Sequence, residues 1–456
     1  MTAAKWTRNF IFFLTLLLVS CMMMTAVIDP FFHYHAPLAG FYYKLDNERS
    51  QNNGIIKHFV YDAVITGTSV TENFKTSEFD RLFHAKAIKV SFSGATYKEI
   101  GENLRLACST RKVRYTVRSL DDSYLIADKD AERFDLGEYP TYLYDRNPFN
   151  DTKYLLNLDV LGQYIAPMLL RRIRGGRGGV ESFDVYANWS AGVRYGREAV
   201  IGARKPYPSH VFQEELRPAE KEEEIRNLQQ NVLSLAKEFP DTEFYVFFPP
   251  YSVVWWGDRY AEGSLKKMVT AQEVAISKML SCKNIQIYGF TTDLEVMTDL
   301  QNYRDAGHYG EWINSRILQE MAKKDSHFHV TKENAKEYGA SLQKLLLSYP
   351  YDQIITQLDS PHTEIATRKP LAREIHCEGK SLRTEMRQKH VWHLRIYFKE
   401  KDYEGRTERH ERHPDAPWTQ RCGGGALSGA GRIRRWLCAE ETFHSGSKPI
   451  RTSADA

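Results

Sequence analysis

Residues 61–70 read YDAVITGTSV, an apolar β-rich run that stops at Gly67 and gives way to polar residues. Val, Ile and Thr suit a pleated strand, and a glycine at its end frees the backbone to turn sharply. The polar stretch that follows, to about Phe83, is compatible with a helix. The segment therefore reads as a strand that delivers Thr68 and Ser69 to a strand-to-helix turn. The same rhythm recurs downstream. AKAIKVSFSG (85–94) is a second strand, followed by helical periodicity over 96–108, and VRYTVRSLD (113–121) is a third. EFYVFFPP (243–250) and NIQIYGF (284–290) are a fourth and fifth; two prolines close the fourth because they cannot continue a ladder. Helical periodicity over 219–238, 264–281 and 310–323 fills the intervals, the last of these being the final predicted helix. Nearly continuous Val/Ile/Phe strands alternating with helices predict a parallel sheet covered on both faces. The expected architecture is a doubly wound α/β domain of five strands, whose ligands bind beyond the carboxyl ends of the strands.

Upstream lies a different signal. From Phe10 to Ile28 the chain is FIFFLTLLLVSCMMMTAVI, preceded by Lys5 and Arg8 and closed by Asp29-Pro30. Such a run is about as long as a bilayer's hydrocarbon is thick. The flanking positive charges predict a cytoplasmic N-terminus and an exported remainder. A lipoprotein box at Leu18-Val19-Ser20-Cys21 and a cleaved signal peptide compete with an uncleaved anchor. Apolar residues run on for seven positions past Cys21, which favours the anchor. Residues 1–30 are thus assigned to a cytoplasmic stub and single-pass anchor, 31–60 to a membrane-proximal connector without clear period, and 61–355 to the α/β domain.

Within that domain residues 122–218 form a long insertion between the third and fourth strands, rich in Tyr, Asn, Pro and Gly, with a basic stretch RRIRGGRGG at 171–179. Insertions at this face shape substrate sites or pack as a subdomain; both readings stand. Residues from about 356 to 456 are different material, with seven of the fifteen histidines, a Gly-Gly-Gly run and little apolar period. Disorder is expected there, and the abrupt change also resembles an aberrant reading frame. Its histidines lack a metal-ligand spacing. Residues 361–456 hold 19 Lys and Arg against 13 Asp and Glu, and the whole chain carries only +4, which argues against a nucleic-acid partner. The six cysteines form no C-x-x-C pair, so a zinc ribbon or redox dithiol has no support. Cys108 and Cys282 are expected within helices as small buried apolar groups.

Three positions carry candidate chemistry. A hydroxyl at the turn after strand one, Ser69, stands at the top of the sheet near the positive end of a helix dipole; read alone, helix capping is the commoner role. Asp305-Ala306-Gly307-His308 lies between strand five and the helix at 310–323. A D-x-x-H turn can hold carboxylate and imidazole together, the acid fixing the ring that acts as base. Gly94, ending strand two, can turn a backbone N–H toward the same site, beside that of Ser69, as an oxyanion donor.

This order of residues resembles the SGNH (GDSL-like) hydrolase superfamily, over about residues 61–325. Ser69 stands at its block-one Ser, Gly94 at its block-two Gly, and Asp305 with His308 at its last block. Within it the chain is similar to bacterial membrane-anchored envelope members, such as the D-alanyl transfer protein of teichoic acid modification and the alginate acetylation proteins. The resemblance implies a flavodoxin-like strand order. It also implies a Ser69–His308–Asp305 triad, an oxyanion site at Ser69 and Gly94, and no metal or cofactor. Two departures stand out. Gly67-Thr68-Ser69-Val70 replaces Gly-Asp-Ser-Leu, and Ser119-Leu120-Asp121-Asp122 replaces Gly-x-Asn-Asp. An ionised Asp cannot donate a hydrogen bond, so Asp121 is assigned to substrate binding or to structure. Tyr251 and Trp255, after strand four, are candidates for stacking on sugar rings, with Trp256 beside them. The expected activity is an extracytoplasmic esterase or O-acyltransferase acting on acylated envelope polysaccharide or teichoic acid. The alternative is a non-catalytic surface protein of the same fold that binds glycopolymer or an acyltransferase partner.

Overall fold

The computed structural model describes residues 2–134, 140–323 and 326–356; the tail expected to be disordered lies outside them from residue 357. Among the described residues there are eight strands: β1 (Tyr42–Tyr43), β2 (Ala63–Thr66), β3 (Ala87–Lys89), β4 (Tyr115–Ser119), β5 (Gly179–Val180), β6 (Glu243–Phe248), β7 (Ile285–Gly289) and β8 (His329–Val330). The main sheet runs in the order β3-β2-β4-β6-β7-β8, while β1 and β5 pair separately. All five strands read from the sequence are present, and they are mutually parallel. The expectation of five is corrected by β8, which adds antiparallel to β7 through Ile287 opposite Val330 and Tyr288 opposite His329. Two residues are too few to show any periodicity, and an antiparallel edge on a parallel sheet is common.

The strands are apolar because both faces are covered. Val64, Ile65, Val117, Phe247 and Ile287 are wholly buried. Helices α1 (Ala3–Ile28), α2 (Glu48–His58), α3 (Thr76–Phe83) and α4 (Tyr97–Thr110) precede β4. The chain steps from β2 outward to β3 and then back across to β4, so the direction of winding reverses at β2. Right-handed crossovers put the helices of opposite steps on opposite faces. Accordingly α3 packs against the helix Glu311–Ala322, while α4 packs against α2 and the segment 229–238. The crevice at such a reversal opens beyond the carboxyl end of β2, where Ser69 lies.

Residues 31–60 are not a connector. Phe31, Phe32, Tyr43, Leu45, Ile55 and Ile56 belong to the buried core. Within this stretch α2 is poor in helix-favouring residues, with Asn52, Asn53 and Gly54 in succession, and tertiary bonds hold it instead. Asn52 donates to the Ser91 carbonyl at 2.8 Å and accepts from the Tyr186 hydroxyl at 2.7 Å. Gln51 donates to the Lys44 carbonyl at 2.8 Å. Helices Ala335–Leu347 and Tyr351–Thr356 follow the one expected to be last.

One N-terminal helix, α1, is long and apolar enough to cross a membrane. Its final turns are built into the domain, with Thr25 and Ile28 buried. Thr25 Oγ1 donates to the Leu155 carbonyl at 3.0 Å. Asp29, with φ of 48°, accepts from the backbone N–H groups of His33, Tyr34 and His35 and from the Tyr154 hydroxyl at 2.8 Å. Cys21, Cys108 and Cys282 are free thiols. Burial pushes Cys108, in α4, up to about 12; Cys282 lies just past the helix Leu265–Met279 rather than within it.

Truncating a core helix leaves a cavity, whereas truncating a linker does not. Ile55→Ala is expected to cost about 2–5 kcal/mol, measured by urea unfolding of the detergent-solubilised protein. A change within about 0.5 kcal/mol, typical of surface sites, would return α2 to the status of a connector.

Candidate active site

Ser69 opens a single 3₁₀ turn, Ser69–Thr71, directly after β2, and Thr68 before it is extended. The turn depends on Gly67, whose φ is 141°. A side-chain Cβ there would lie 2.4 Å from Ser119 Oγ and 2.6 Å from Thr71 Cγ2, so both the backbone and the space demand glycine. Ser69 Oγ does not cap the turn. It lies 2.7 Å from His308 Nε2. Its carbonyl accepts from Trp189 Nε1 at 3.1 Å, which holds the residue from its other side.

The turn 305–308 brings acid and imidazole together as its spacing suggests. Asp305 accepts from the backbone N–H groups of Gly307 at 3.0 Å and His308 at 2.9 Å. These bonds fold the turn back on itself and aim the carboxylate at the ring. His308 Nδ1 lies 2.9 and 2.8 Å from the two Asp305 oxygens. Burial alone would raise this carboxyl. Its bond to the His308 ring, the ring's charge and the two backbone donors outweigh that and hold it at about 2. In the neutral form of the ring, an ionised acceptor at Nδ1 places the proton on Nδ1 and leaves the Nε2 lone pair facing Ser69 Oγ. The three residues, 239 positions apart at their widest, form one hydrogen-bonded line from hydroxyl through imidazole to carboxylate.

Asp121 sits behind this line. It is 5% exposed and accepts from Thr68 Oγ1 at 2.8 Å, Ser119 Oγ at 2.9 Å and the Tyr251 hydroxyl at 2.5 Å. Burial raises its carboxyl, and the three hydroxyl donors pull it back toward the ionised form. Both oxygens are engaged within the protein, so Asp121 braces the turn carrying Ser69, and Tyr251, itself 5% exposed, is part of the same brace. Neither meets solvent as a substrate-facing side chain would. Trp255 is half-buried and stacks on Tyr251 with ring centres 4.4 Å apart. Both rings flank Gly307, whose added Cβ would meet each at 3.6 Å, so the pair walls the loop that carries His308. Gly94 adopts φ of 61° and its carbonyl accepts from the Tyr124 hydroxyl at 3.0 Å.

Two further residues close on the site without having been anticipated. Trp189, from the insertion, meets the His308 ring edge-on at 5.4 Å. Arg304 lies over the Trp189 ring at 4.9 Å and 3.4 Å from Asp305. Asn73 fixes the tryptophan by accepting from its backbone N–H at 3.1 Å. For Arg304 the adjacency to Asp305 was a usable signal; for Trp189 no local pattern pointed to the site.

No protein-family model matches the chain, and no curated protein matches it. Among solved structures it is similar to one from Streptococcus pneumonia provisionally described as a platelet activating factor, at 12% identity and a TM-score of 0.31, over 64% of this chain and 91% of that one.

The lowered Asp305 carboxyl has a measurable sign. Its contribution to stability is complete above the unfolded-state value near 3.9 and is lost as pH falls toward about 2. Carbon-detected NMR of the Asp305 carboxyl should find it still ionised at about pH 3, where an ordinary Asp is mostly protonated. A midpoint near 4 would mean that the bond to His308 does not exist in solution.

Proposed function

We propose that this chain is a serine esterase or O-acyltransferase that works through a triad of Ser69, His308 and Asp305. The observation that carries the reading is the 2.7 Å approach of Ser69 Oγ to His308 Nε2, with the opposite ring nitrogen held by an ionised carboxylate. A serine that merely capped its turn would have no imidazole at its hydroxyl. In the first half-reaction Ser69 Oγ attacks an acyl carbonyl while its proton passes to His308 Nε2. Asp305 stabilises the imidazolium that results. The tetrahedral oxyanion is met by the backbone N–H groups of Ser69 and Gly94. Collapse expels the alcohol, which leaves with the proton from His308, and the acyl group stays on Ser69. Water then gives hydrolysis, or a sugar hydroxyl gives transfer, by the same steps in reverse.

The location is inferred from α1. Cleavage after Thr25 would strip that residue, and cleavage after Ile28 both Thr25 and Ile28, from the buried face. That supports an anchor not cut within its last turn, and the Lys5 and Arg8 that precede it support an α/β domain outside the cytoplasm. A tethered exported acyl-transfer enzyme fits acyl groups on envelope glycopolymers, polysaccharide or teichoic acid, as its substrates.

One feature favours the second reading, a non-catalytic glycopolymer-binding protein that works with an acyltransferase partner. Asp121 occupies the place of the usual third oxyanion donor and can only accept. A fluorophosphonate probe separates the two. Labelling of the full-length protein is expected, abolished in Ser69→Ala and slowed on the order of a thousandfold or more in His308→Ala. A folded wild-type protein that resists labelling would leave only the binding reading.

A further inference from the structure

Beside the end of α1 the chain presents a surface that combines exposed apolar and basic residues. Residues 158–173 form one continuous helical stretch that ends in α6 (Ala166–Ile173), following the short α5 (Thr152–Leu155). Val160, Ile165 and Met168 face inward and are buried. The outward positions Leu158, Gly162, Ala166, Leu170 and Ile173, spaced three or four apart, are all exposed and all lack polar side-chain groups. Leu158 is 82% exposed and Ile173 79%. A water-facing helix places charges at such positions; an apolar stripe marks a contact surface. At its end stand Arg171, Arg172, Arg174 and Arg177, all exposed. Arg171 and Arg172 are braced over the rings of Tyr42 and Phe41, at 4.3 and 5.0 Å.

The position of this surface indicates what covers it. The helical stretch 160–165 and α5 both pack on α1, and Phe31, just past α1, meets Tyr154 and Tyr164 at 5.3 and 4.9 Å. Helix α1 is exposed on nearly every side from Phe10 to Val19 and is enclosed by the domain only from Cys21 onward. At about 1.5 Å per residue its 26 residues measure about 39 Å, against about 30 Å of hydrocarbon. Because the turns before Cys21 are the ones left open to lipid while those after it are enclosed by the domain, the last turns belong at the bilayer surface, with the 158–177 segment fixed to them.

We propose that residues 158–177 form a second membrane contact, lying in the outer interface of the bilayer that α1 crosses. Leu158, Leu170 and Ile173 enter the acyl boundary, as the apolar face of an interfacial helix does. Arg174 and Arg177 reach lipid phosphates, whose oxygens match a guanidinium, with preference for anionic headgroups. The proposal rests on α1 being an uncleaved anchor and is independent of the chemistry at Ser69.

The test uses the full-length protein in vesicles of phosphatidylcholine, with or without phosphatidylglycerol, carrying an environment-sensitive fluorescent amino acid at position 173 or, as a control, at position 17. Lipid-borne nitroxide should quench the probe at 173 several-fold more than aqueous iodide does. Phosphatidylglycerol should deepen that quenching, and Arg174→Glu with Arg177→Glu should remove the deepening while leaving position 17 unchanged. Three outcomes overturn the proposal: iodide quenching at 173 while 17 is lipid-quenched, shielding of 173 from both agents by a second copy, or indifference to headgroup charge. Loss of lipid quenching at 17 as well would instead remove the anchor itself.

Discussion

The carboxylate of Asp121 joins the sheet to the site. It stands just past β4 and receives one hydroxyl from the turn after β2, one from β4 and one from beyond β6, so the carboxyl ends of three neighbouring strands are fastened around one buried carboxyl group. Such a group is stable inside a protein only when its lone pairs are met by donors, and here they are. The same cluster sets the shape of the turn that presents Ser69. The group that crowds Gly67, Ser119 Oγ, is one of the Asp121 donors. Glycine, acid and hydroxyls are one packing unit. This also accounts for Asp at a place where the resemblance leads one to expect Asn. Three converging hydroxyls want a group that only accepts, and an amide would set an N–H₂ against one of them.

What could be read in advance was whatever the chain encodes locally. Five strands announced themselves as short Val/Ile/Phe runs, because burial on both faces of a parallel sheet leaves no room for polar alternation. The Asp305–His308 turn was legible because its geometry is closed by backbone bonds spanning two and three residues. Ser69 was legible only jointly with it, since a lone serine after a strand looks like a cap. What escaped was made by distance. In α2 the isolated segment favours no helix, and it is held by Ser91, Tyr186 and Lys44. Trp189 reaches Ser69 from 120 residues away, and nothing in its neighbours YANWS marks it. Strand β8 is shorter than any period. Asp121 reads in the sequence as substrate-binding or structural, because its three donors come from the ends of three separate strands and become visible only when the sheet is assembled.

The insertion reaches the site through one side chain and packs on α1 through another part of itself. Trp189 seals one flank of the Ser69–His308 pair, with Arg304 over its outer face. Tyr251 and Trp255 wall the loop that carries His308. Aromatic surfaces of this kind pair an apolar body with a polar edge.

The way α1 enters the domain has a mechanical consequence. A flexible tether of n residues would let a head group wander over a radius of about 5–6 Å × √n, sweeping many heights above its membrane. Here Thr25, Ile28 and Asp29 are already inside the fold, and the free linker has no length. A domain held this way pivots with its helix and does not roam. Ser69 therefore keeps one fixed distance from the end of α1. Where α1 crosses a membrane, the height of the site above the lipid is a property of the fold, not of diffusion.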